Sequence, residues 1–173
     1  MKPAAFLDRD GTLMLDSGFI GDPRRIEVLP GVPQALRLLG DAGFLRVVIT
    51  NQSGVARGYF GESDVERVNA ELARRLEADG VSLDAFYYCS HLEDCRCRKP
   101  QTGLVQRALD DLPIDRARSV VFGDRGSDMQ LAVNVGIPGV LVNELPNYAG
   151  PAPLWRATSL LEGVRWYLET VHA

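Results

Sequence analysis

Phe6-Leu7-Asp8-Arg9-Asp10-Gly11-Thr12 is the stretch that decides the fold. Apolar residues 4–7 lead directly into two acids that are separated by one residue, and a glycine follows. A short apolar run with this ending predicts a buried strand whose carboxyl end opens into a turn. Ligands of open α/β sheets bind just outside the carboxyl ends of the strands. Asp8 and Asp10, which share one face of an extended chain, are therefore the first candidates for a functional site.

Two other interpretations of this stretch are a calcium loop and a hairpin turn. A calcium loop that began at Asp8 would need a third acid at its fifth position, glycine at its sixth and glutamate at its twelfth. Those positions hold Thr12, Leu13 and Phe19, which excludes the calcium loop. An Asp-Gly pair is also common in hairpins, so this stretch alone does not distinguish a hairpin turn from a functional strand tip. Motifs elsewhere in the chain are needed to choose between them.

The composition is typical of one soluble domain that spans residues 1–173. The chain is 46% hydrophobic and 24% charged, and its net charge of −4 comes from interspersed acids and bases. This balance argues against a general nucleic-acid or membrane-surface binder. We see neither a signal-peptide core nor a membrane-spanning run. We therefore expect a cytoplasmic protein without nucleic-acid or membrane partners, and a monomer.

Strand-like and helix-like segments alternate along the chain, which predicts an α/β fold with a doubly wound parallel sheet. Segment 13–29 lacks a sustained period, so we expect a loop or small flap over the first strand's tip. We expect a capping box at Ser63 to open the second helix and another at Ser159 to open the last. The remaining predicted strands are 45–49, 85–88, 120–122 and 139–142, and helices are predicted near 34–40, 102–112 and 127–135.

Three further motifs stand at predicted strand tips or helix starts. Thr50 ends a β-branched strand and is followed by Asn51, Gln52 and Ser53. Such a tip can direct a hydroxyl and backbone N–H groups at an anion, although a turn threonine fits as well. The second motif, Cys97-Arg98-Lys99-Pro100, places two cations at a helix start, where they oppose the helix dipole unless an anion binds there. The third, residues 120–128, is an apolar strand that breaks into Gly123, Asp124 and Asp128, which an Asx turn with a helix cap would also explain.

Taken together and in this order, the four motifs resemble the motif set of the haloacid-dehalogenase-like phosphatases. The resemblance runs from about residue 4 to residue 143. Residues 50–60, the cysteine cluster and residues 97–100 resemble the branch of that superfamily that holds heptose-bisphosphate and histidinol-phosphate phosphatases. The resemblance implies a Rossmann-like sheet with no large cap domain and with a short zinc-binding loop.

The resemblance also implies a role for each motif residue. Asp8 would attack phosphorus and Asp10 would act as general acid and base, while Thr50 and Lys99 would stabilise the phosphoryl oxygens. Mg²⁺ would be held by Asp8, the backbone carbonyl of Asp10 and Asp124, with Asp128 behind them. The acids and a phosphate dianion carry more negative charge than Arg98 and Lys99 offset, so a divalent cation is needed. The implied substrate-binding residues are Asp16, Phe19, Asn51, Gln52, Ser53, Arg98 and Arg125.

All three cysteines fall within residues 89–97. Cys89, His91, Cys95 and Cys97 supply three sulfurs and one imidazole, which is the full ligand set of a closed tetrahedral zinc site. The pattern C-x-H…C-x-C matches the zinc loop of the resembled branch, although the connector between His91 and Cys95 is shorter than is usual there. The resemblance implies a structural Zn²⁺. The alternative is a set of scattered thiols with a surface histidine.

Two substrates of this branch compete. Residues 16–20 and 54–58 resemble the heptose enzymes more closely, which implies D-glycero-D-manno-heptose 1,7-bisphosphate, cleaved to the heptose 1-phosphate, as the substrate. Residues 123–137 resemble histidinol-phosphatase more closely, and Arg125 stands where the heptose enzymes usually carry lysine. A polynucleotide 3′-phosphatase would need a basic track that this acidic chain does not offer. A zinc-stabilised binding module with an inactive site is disfavoured by the intact acids. No role can be assigned to Trp155 or Trp166.

Overall fold

β1, Ala4–Leu7, lies at the centre of a six-stranded parallel sheet in the computed structural model, which describes residues 1–171. The strand order is β3-β2-β1-β4-β5-β6. The other strands are β2 (Leu45–Asn51), β3 (Ala85–Cys89), β4 (Val120–Gly123), β5 (Gly139–Val142) and β6 (Trp155–Ala157). The order reverses at β1, so the crevice where such folds bind ligands opens between β1 and β4.

Helices cover both faces of the sheet, because each presents one apolar stripe to it. One core layer joins the sheet to α1 (Val32–Asp41), α2 (Glu62–Ala78) and α5 (Leu160–Thr170). The opposite layer joins it to α3 (Gly103–Asp111) and α4 (Gly126–Val135). The α/β doubly wound parallel sheet predicted from the sequence is confirmed.

Two local predictions were wrong. No strand was predicted between residue 142 and the last helix, where prolines 146, 151 and 153 suggest a loop, but Trp155–Ala157 pairs with β5 as the edge strand. Two of its three residues are exposed, so it lacks the apolar run that marks the inner strands. The predicted cap of α2 was Ser63, yet the helix begins at Glu62 behind Gly61. Asp64 caps the N-terminus of α2, since its Oδ2 accepts from the Gly61 N–H at 2.8 Å.

The last helix begins as predicted. Ser159 is the N-cap of α5, and its hydroxyl accepts from the Glu162 N–H. The reciprocal bond differs from a standard capping box, because the Glu162 carboxylate accepts from the Thr158 N–H at 2.8 Å. At the same edge of the sheet, Trp155 and Trp166 stack on each other with centroids 4.7 Å apart.

Segment 13–29 is packed against the body of the protein at several points. Leu13, Met14, Ile20 and Ile26 are buried in the core, and Pro23–Arg25 forms a 3-10 turn. From α2, the Arg75 guanidinium donates to the Ile26 carbonyl at 2.5 Å. The segment is therefore anchored at both ends, with its exposed tip near Phe19. Within residues 1–171, no helix combines the length and apolarity that crossing a bilayer requires.

Candidate active site

A cavity of about 500 Å³ opens at the carboxyl ends of β1, β2 and β4. It brings together every side chain that the sequence predicted for catalysis or substrate binding. They are Asp8, Asp10, Asp16, Phe19, Thr50, Asn51, Gln52, Ser53, Arg98, Lys99 and Arg125. Arg57 and Asp128 also line it. Residues from five separate parts of the chain thus converge where a parallel sheet is expected to bind its ligand.

Lys99 lies at the centre of the cavity floor. Its ammonium donates to Asp8 Oδ1 at 2.7 Å, to Asp128 Oδ1 at 2.6 Å and to the Ile49 carbonyl at 2.8 Å. All three donor positions are therefore used, as a fully buried ammonium requires. Burial alone would lower the pKa of Lys99, but Asp128 and Asp8 outweigh it and raise that pKa. Removing one partner of such a buried pair typically costs about 3–5 kcal/mol.

Three buried carboxylates share this floor with a single ammonium. Ligand oxygens of Asp8, Asp124 and Asp128 lie within 4.8 Å of one another. Burial raises the pKa of Asp124 to about 8, and the charges of Asp8 and Asp128 add to the effect. Burial likewise raises the pKa of Asp128 to about 6, although Lys99 opposes it. Both pKa values rise because three buried carboxyl groups lie together with only one ammonium to offset their charge, and a bound cation would favour their ionised forms.

The donor set fits a hard divalent cation. Asp124 Oδ1 is buried without a hydrogen-bond partner, which is costly unless a ligand completes its coordination. Gly11, with φ +86°, passes so close that any side chain there would collide with the Asp124 carboxylate. An all-oxygen cluster with room for water and phosphate beside it has the character of a Mg²⁺ site.

Asp10 accepts hydrogen bonds from a buried cation, Arg9, and from the Gln52 amide. The Arg9 guanidinium, fully buried, donates to Asp10 Oδ2 at 3.2 Å and to Oδ1 at 3.3 Å. The Gln52 amide donates to Asp10 Oδ2 at 2.8 Å and to the Thr50 hydroxyl at 2.9 Å. Burial raises the pKa of Asp10 against the opposing charge of Arg9. A carboxyl in this state is suited to holding a proton and releasing it.

Asn51 fastens the loop that carries Lys99. Its Oδ1 accepts from the Lys99 N–H at 2.9 Å, and its amide donates to the Lys99 carbonyl at 3.2 Å. Both polar ends of the Asn51 side chain are thus engaged by one backbone unit. Likewise, the Gln52 amide donates hydrogen bonds to Asp10 and to Thr50. Direct contact of Asn51 or Gln52 with substrate stays a prediction.

The rim of the cavity is basic and aromatic. Arg125 pairs with Asp16 at 2.6 Å, which ties segment 13–29 to the loop after β4. Phe19 is half exposed, meets the Tyr59 ring edge-on at 4.9 Å and lies under the Arg57 guanidinium at 5.5 Å. Among residues 1–171 no carboxylate forms an ion pair with Arg57 or Arg98, so both charges are available to an anion at the mouth.

The cysteine cluster forms a compact site beside the cavity. Cys89 Sγ lies 3.7 Å from Cys95 Sγ and 3.6 Å from His91 Nδ1, and that nitrogen lies 3.3 Å from Cys97 Sγ. Ligands bonded to zinc at about 2.3 Å in a tetrahedron are separated by about 3.8 Å. The short connector closes through Asp94 in the left-handed region, at φ +53°. Cys97 Sγ lies only 2.8 Å from Cys89 Sγ, so this pair would have to separate by about 1 Å around a bound Zn²⁺. The four side chains nevertheless converge on one point and offer the ligand set for one metal.

Comparison with known proteins gives the same assignment. A family model described as HAD-hydrolase-like matches residues 96–144. A D-glycero-beta-D-manno-heptose-1,7-bisphosphate 7-phosphatase from Haemophilus ducreyi is 42% identical over 145 residues, which cover 79% of this chain and 80% of that protein. The chain belongs to the haloacid-dehalogenase-like phosphatases.

Two other relatives of this phosphatase support the assignment. The Escherichia coli protein of the same name is 44% identical over 145 residues, covering 78% of this chain and 76% of its own. A solved D,D-heptose 1,7-bisphosphate phosphatase from B. bronchiseptica, complexed with magnesium and phosphate, is 31% identical with a TM-score of 0.87. That similarity covers 98% of this chain and 99% of the other.

Sequence reasoning missed two arginines of this phosphatase. Arg9 stands between two acids, a pattern typical of a solvated surface, and only the structure shows that it is fully buried. Arg57 follows the motif that begins at Thr50, but nothing in the spacing predicts that it returns to the mouth over Phe19. Both positions depend on contacts between distant segments, which spacing along one strand or helix cannot show.

Proposed function

We propose that this protein is a Mg²⁺-dependent phosphatase that cleaves D-glycero-D-manno-heptose 1,7-bisphosphate at C7 and leaves the heptose 1-phosphate. The observation that carries the proposal is the position of the Asp8 carboxylate, at the carboxyl end of β1 and 2.7 Å from the Lys99 ammonium. The substrate is supported by relatives at 42% and 44% identity whose names specify this bisphosphate and its 7-phosphate.

In the proposed mechanism Asp8 is the nucleophile and Asp10 is the general acid and base. A carboxylate oxygen of Asp8 bonds to phosphorus as the bond from phosphorus to the C7 oxygen breaks, and Asp10 gives its proton to the departing alkoxide. Water then attacks phosphorus and passes a proton to Asp10, and the bond from Asp8 to phosphorus breaks. Phosphate leaves and both carboxyl groups return to their first state.

The remaining groups stabilise charge on the transferring phosphoryl group. The Lys99 ammonium would stabilise this charge as a nearby cation, since its three N–H groups are engaged by Asp8, Asp128 and the Ile49 carbonyl. The Thr50 hydroxyl, which lines the same cavity, would donate to a phosphoryl oxygen. Asp8, the Asp10 backbone carbonyl and Asp124 would hold Mg²⁺, and Asp128 fixes Lys99 behind them. When bound, Mg²⁺ supplies positive charge to the phosphoryl oxygens and offsets the carboxylates.

The second phosphate of the substrate would meet the basic rim. Arg98 and Arg57 are free of carboxylate partners, whereas Arg125 is already paired with Asp16. A guanidinium can bind a phosphate through two parallel charge-assisted hydrogen bonds, which adds both strength and geometric specificity. We therefore assign the anomeric phosphate to Arg98, with Arg57 as a second donor and Phe19 and Asp16 as the wall against the sugar.

A turnover comparison tests the substrate. With Mg²⁺ present, kcat/KM on heptose 1,7-bisphosphate should exceed that on histidinol phosphate and on a 3′-phosphorylated oligonucleotide by roughly a hundredfold or more. Histidinol phosphate lacks a second phosphate for the rim arginines, and the oligonucleotide would need a basic track for its strand. Equal or faster turnover of histidinol phosphate would contradict the heptose assignment. Turnover of the oligonucleotide would contradict the expectation of no nucleic-acid partner.

We also propose that Cys89, His91, Cys95 and Cys97 hold one structural Zn²⁺. The four ligands leave no coordination position open, so the metal would stabilise the loop without taking part in chemistry. The loop leads directly to the catalytic lysine: the Arg98 N–H donates to Cys95 Sγ at 3.4 Å, and Lys99 is the next residue. The zinc would therefore help to place Lys99.

Replacing Cys95 with alanine tests this role. The parent should carry close to one zinc per chain by elemental analysis, and should keep it under EDTA mild enough to strip Mg²⁺. Cys95→Ala should lose zinc and loosen residues 89–102. Turnover should then fall about ten- to a hundredfold, because transition-state donors must be held within about half an ångström.

Ser90→Ala is the matched control for this loop. The Ser90 hydroxyl donates to Glu62 at 2.9 Å and is not part of the cluster, so this variant should keep both zinc and activity. Added Mg²⁺ should not restore Cys95→Ala. A Cys95→Ala protein that lacks zinc yet turns over like the parent would show that the cluster does not position Lys99.

A further inference from the structure

Asn69 lies in the middle of α2, on its buried face and far along the chain from the catalytic acids. Its side chain is 5% exposed among the apolar residues that pack α2 on the sheet. Asn69 Oδ1 accepts from Arg9 Nη1 at 2.9 Å. This is the polar contact that joins α2 to the catalytic loop after β1.

Arg9 connects Asn69 to Asp10, because its guanidinium hydrogen-bonds to both side chains. One edge of the guanidinium, Nε and Nη2, faces the Asp10 carboxylate, and the remaining nitrogen faces Asn69. A planar guanidinium has a rigid fork, so an acceptor on one nitrogen fixes the direction of the other two. A fully buried cation also needs each such acceptor, since water cannot replace it. Asn69 therefore fixes the plane in which Arg9 presents itself to Asp10.

The two oxygens of Asp10 are not held equally. Oδ2 accepts from Gln52 at 2.8 Å and from Arg9 Nη2 at 3.2 Å. Oδ1 accepts two bonds, from Nε and Nη2 at 3.3 Å each, and within residues 1–171 both come from Arg9. Oδ2 is thus held by two residues, whereas the position of Oδ1 depends on the Arg9 guanidinium alone. A change in the tilt of Arg9 would move Oδ1 relative to the leaving group.

We propose that Asn69 is a positioning residue for proton transfer, which holds Asp10 in line with the leaving-group oxygen by fixing the buried guanidinium of Arg9. The proposal rests on the assignment of Asp10 as the general acid. It predicts a defect that depends on the leaving group, because an alcohol that departs readily as an anion needs little help from an acid.

The test measures product release in the first turnover with two aryl phosphates. Phenyl phosphate has a poor leaving group and 4-nitrophenyl phosphate a good one. In Asn69→Leu, which removes the acceptor at similar volume, the first-turnover rate constant should fall about tenfold for phenyl phosphate and less than threefold for 4-nitrophenyl phosphate. Asn69→Asp keeps an acceptor oxygen and should return the ratio of the two rate constants to within threefold of the parent.

Val68→Ala is the packing control, because it opens space on the buried face of α2 next to Asn69 while keeping the Asn69 acceptor of Arg9. It should leave the ratio unchanged. Each ratio compares two substrates on one preparation, so a partly unfolded sample lowers both rate constants together. If Asn69→Leu does not fold, the ratio of the two rate constants is measured for Asn69→Ala instead.

Asp10→Asn separates failure of this inference from failure of the proposed mechanism. If Asp10→Asn discriminates strongly between the two substrates and Asn69→Leu slows both equally or neither, the positioning role of Asn69 is wrong. If Asp10→Asn itself shows no discrimination, the acid–base assignment of Asp10 is wrong, and the proposal for Asn69 is overturned with it.

Discussion

Asp8→Asn should abolish turnover, by roughly 10⁴-fold or more, as expected when a nucleophile is removed. The amide is nearly isosteric with the carboxylate but does not attack phosphorus. The fold should persist, because Asp128 still pairs with Lys99 at 2.6 Å after the change. Steady-state release of phosphate measures the activity, and circular dichroism with a thermal melt measures the fold.

Asp115→Asn is the matched control for this change. Asp115 is an acid of the same type in a surface ion pair with Arg118, far from the cavity. That variant should turn over like the parent, since an exposed pair contributes little to stability. Activity of Asp8→Asn within tenfold of the parent would remove Asp8 from the role of nucleophile.

Asp10→Asn should reduce turnover by about 10²- to 10⁴-fold, the range that loss of a general acid–base group produces. The kinetic defect of Asp10→Asn should differ in kind from that of Asp8→Asn. With 4-nitrophenyl phosphate the nucleophile is intact and the leaving group needs no proton, so a burst of nitrophenol should appear in the first turnover. The reaction should then stall, because water is no longer activated to release phosphate from Asp8.

Stopped-flow absorbance with each variant at equal concentration measures this difference. Asp8→Asn should give neither a burst nor a steady state. If the two variants show the same dependence on the leaving group, the separate roles of Asp8 and Asp10 are wrong.

The sequence predicted the sheet and its strand tips well for a physical reason. Inner strands such as 120–123 are buried on both faces, so they appear as apolar runs that end in acids and glycine. The edge strand β6 lacked that pattern because solvent covers one of its sides. Gly61 was missed as the cap of α2 because its bond is made by Asp64, whose carboxylate reaches back to the glycine N–H.

The site was predicted as a set of residues, but the connections among them were not. Asn51 was expected to contact substrate, and the structure shows its side chain engaged by the Lys99 backbone. Arg9 and Asn69 were invisible because their contact joins residues 60 apart in the sequence. Motifs describe the groups that perform chemistry, whereas groups that hold them in place are set by tertiary packing.

Chemical trapping of the phosphoenzyme tests the central claim most directly. Asp10→Asn would be mixed with 4-nitrophenyl phosphate and Mg²⁺, quenched in acid during the stall and reduced with borohydride, which converts an acyl phosphate of aspartate into homoserine. We predict, by peptide mass spectrometry, homoserine at position 8 and unmodified aspartate at positions 124 and 128. Homoserine at another aspartate, or none at position 8 in a sample that has released nitrophenol, would contradict catalysis through Asp8.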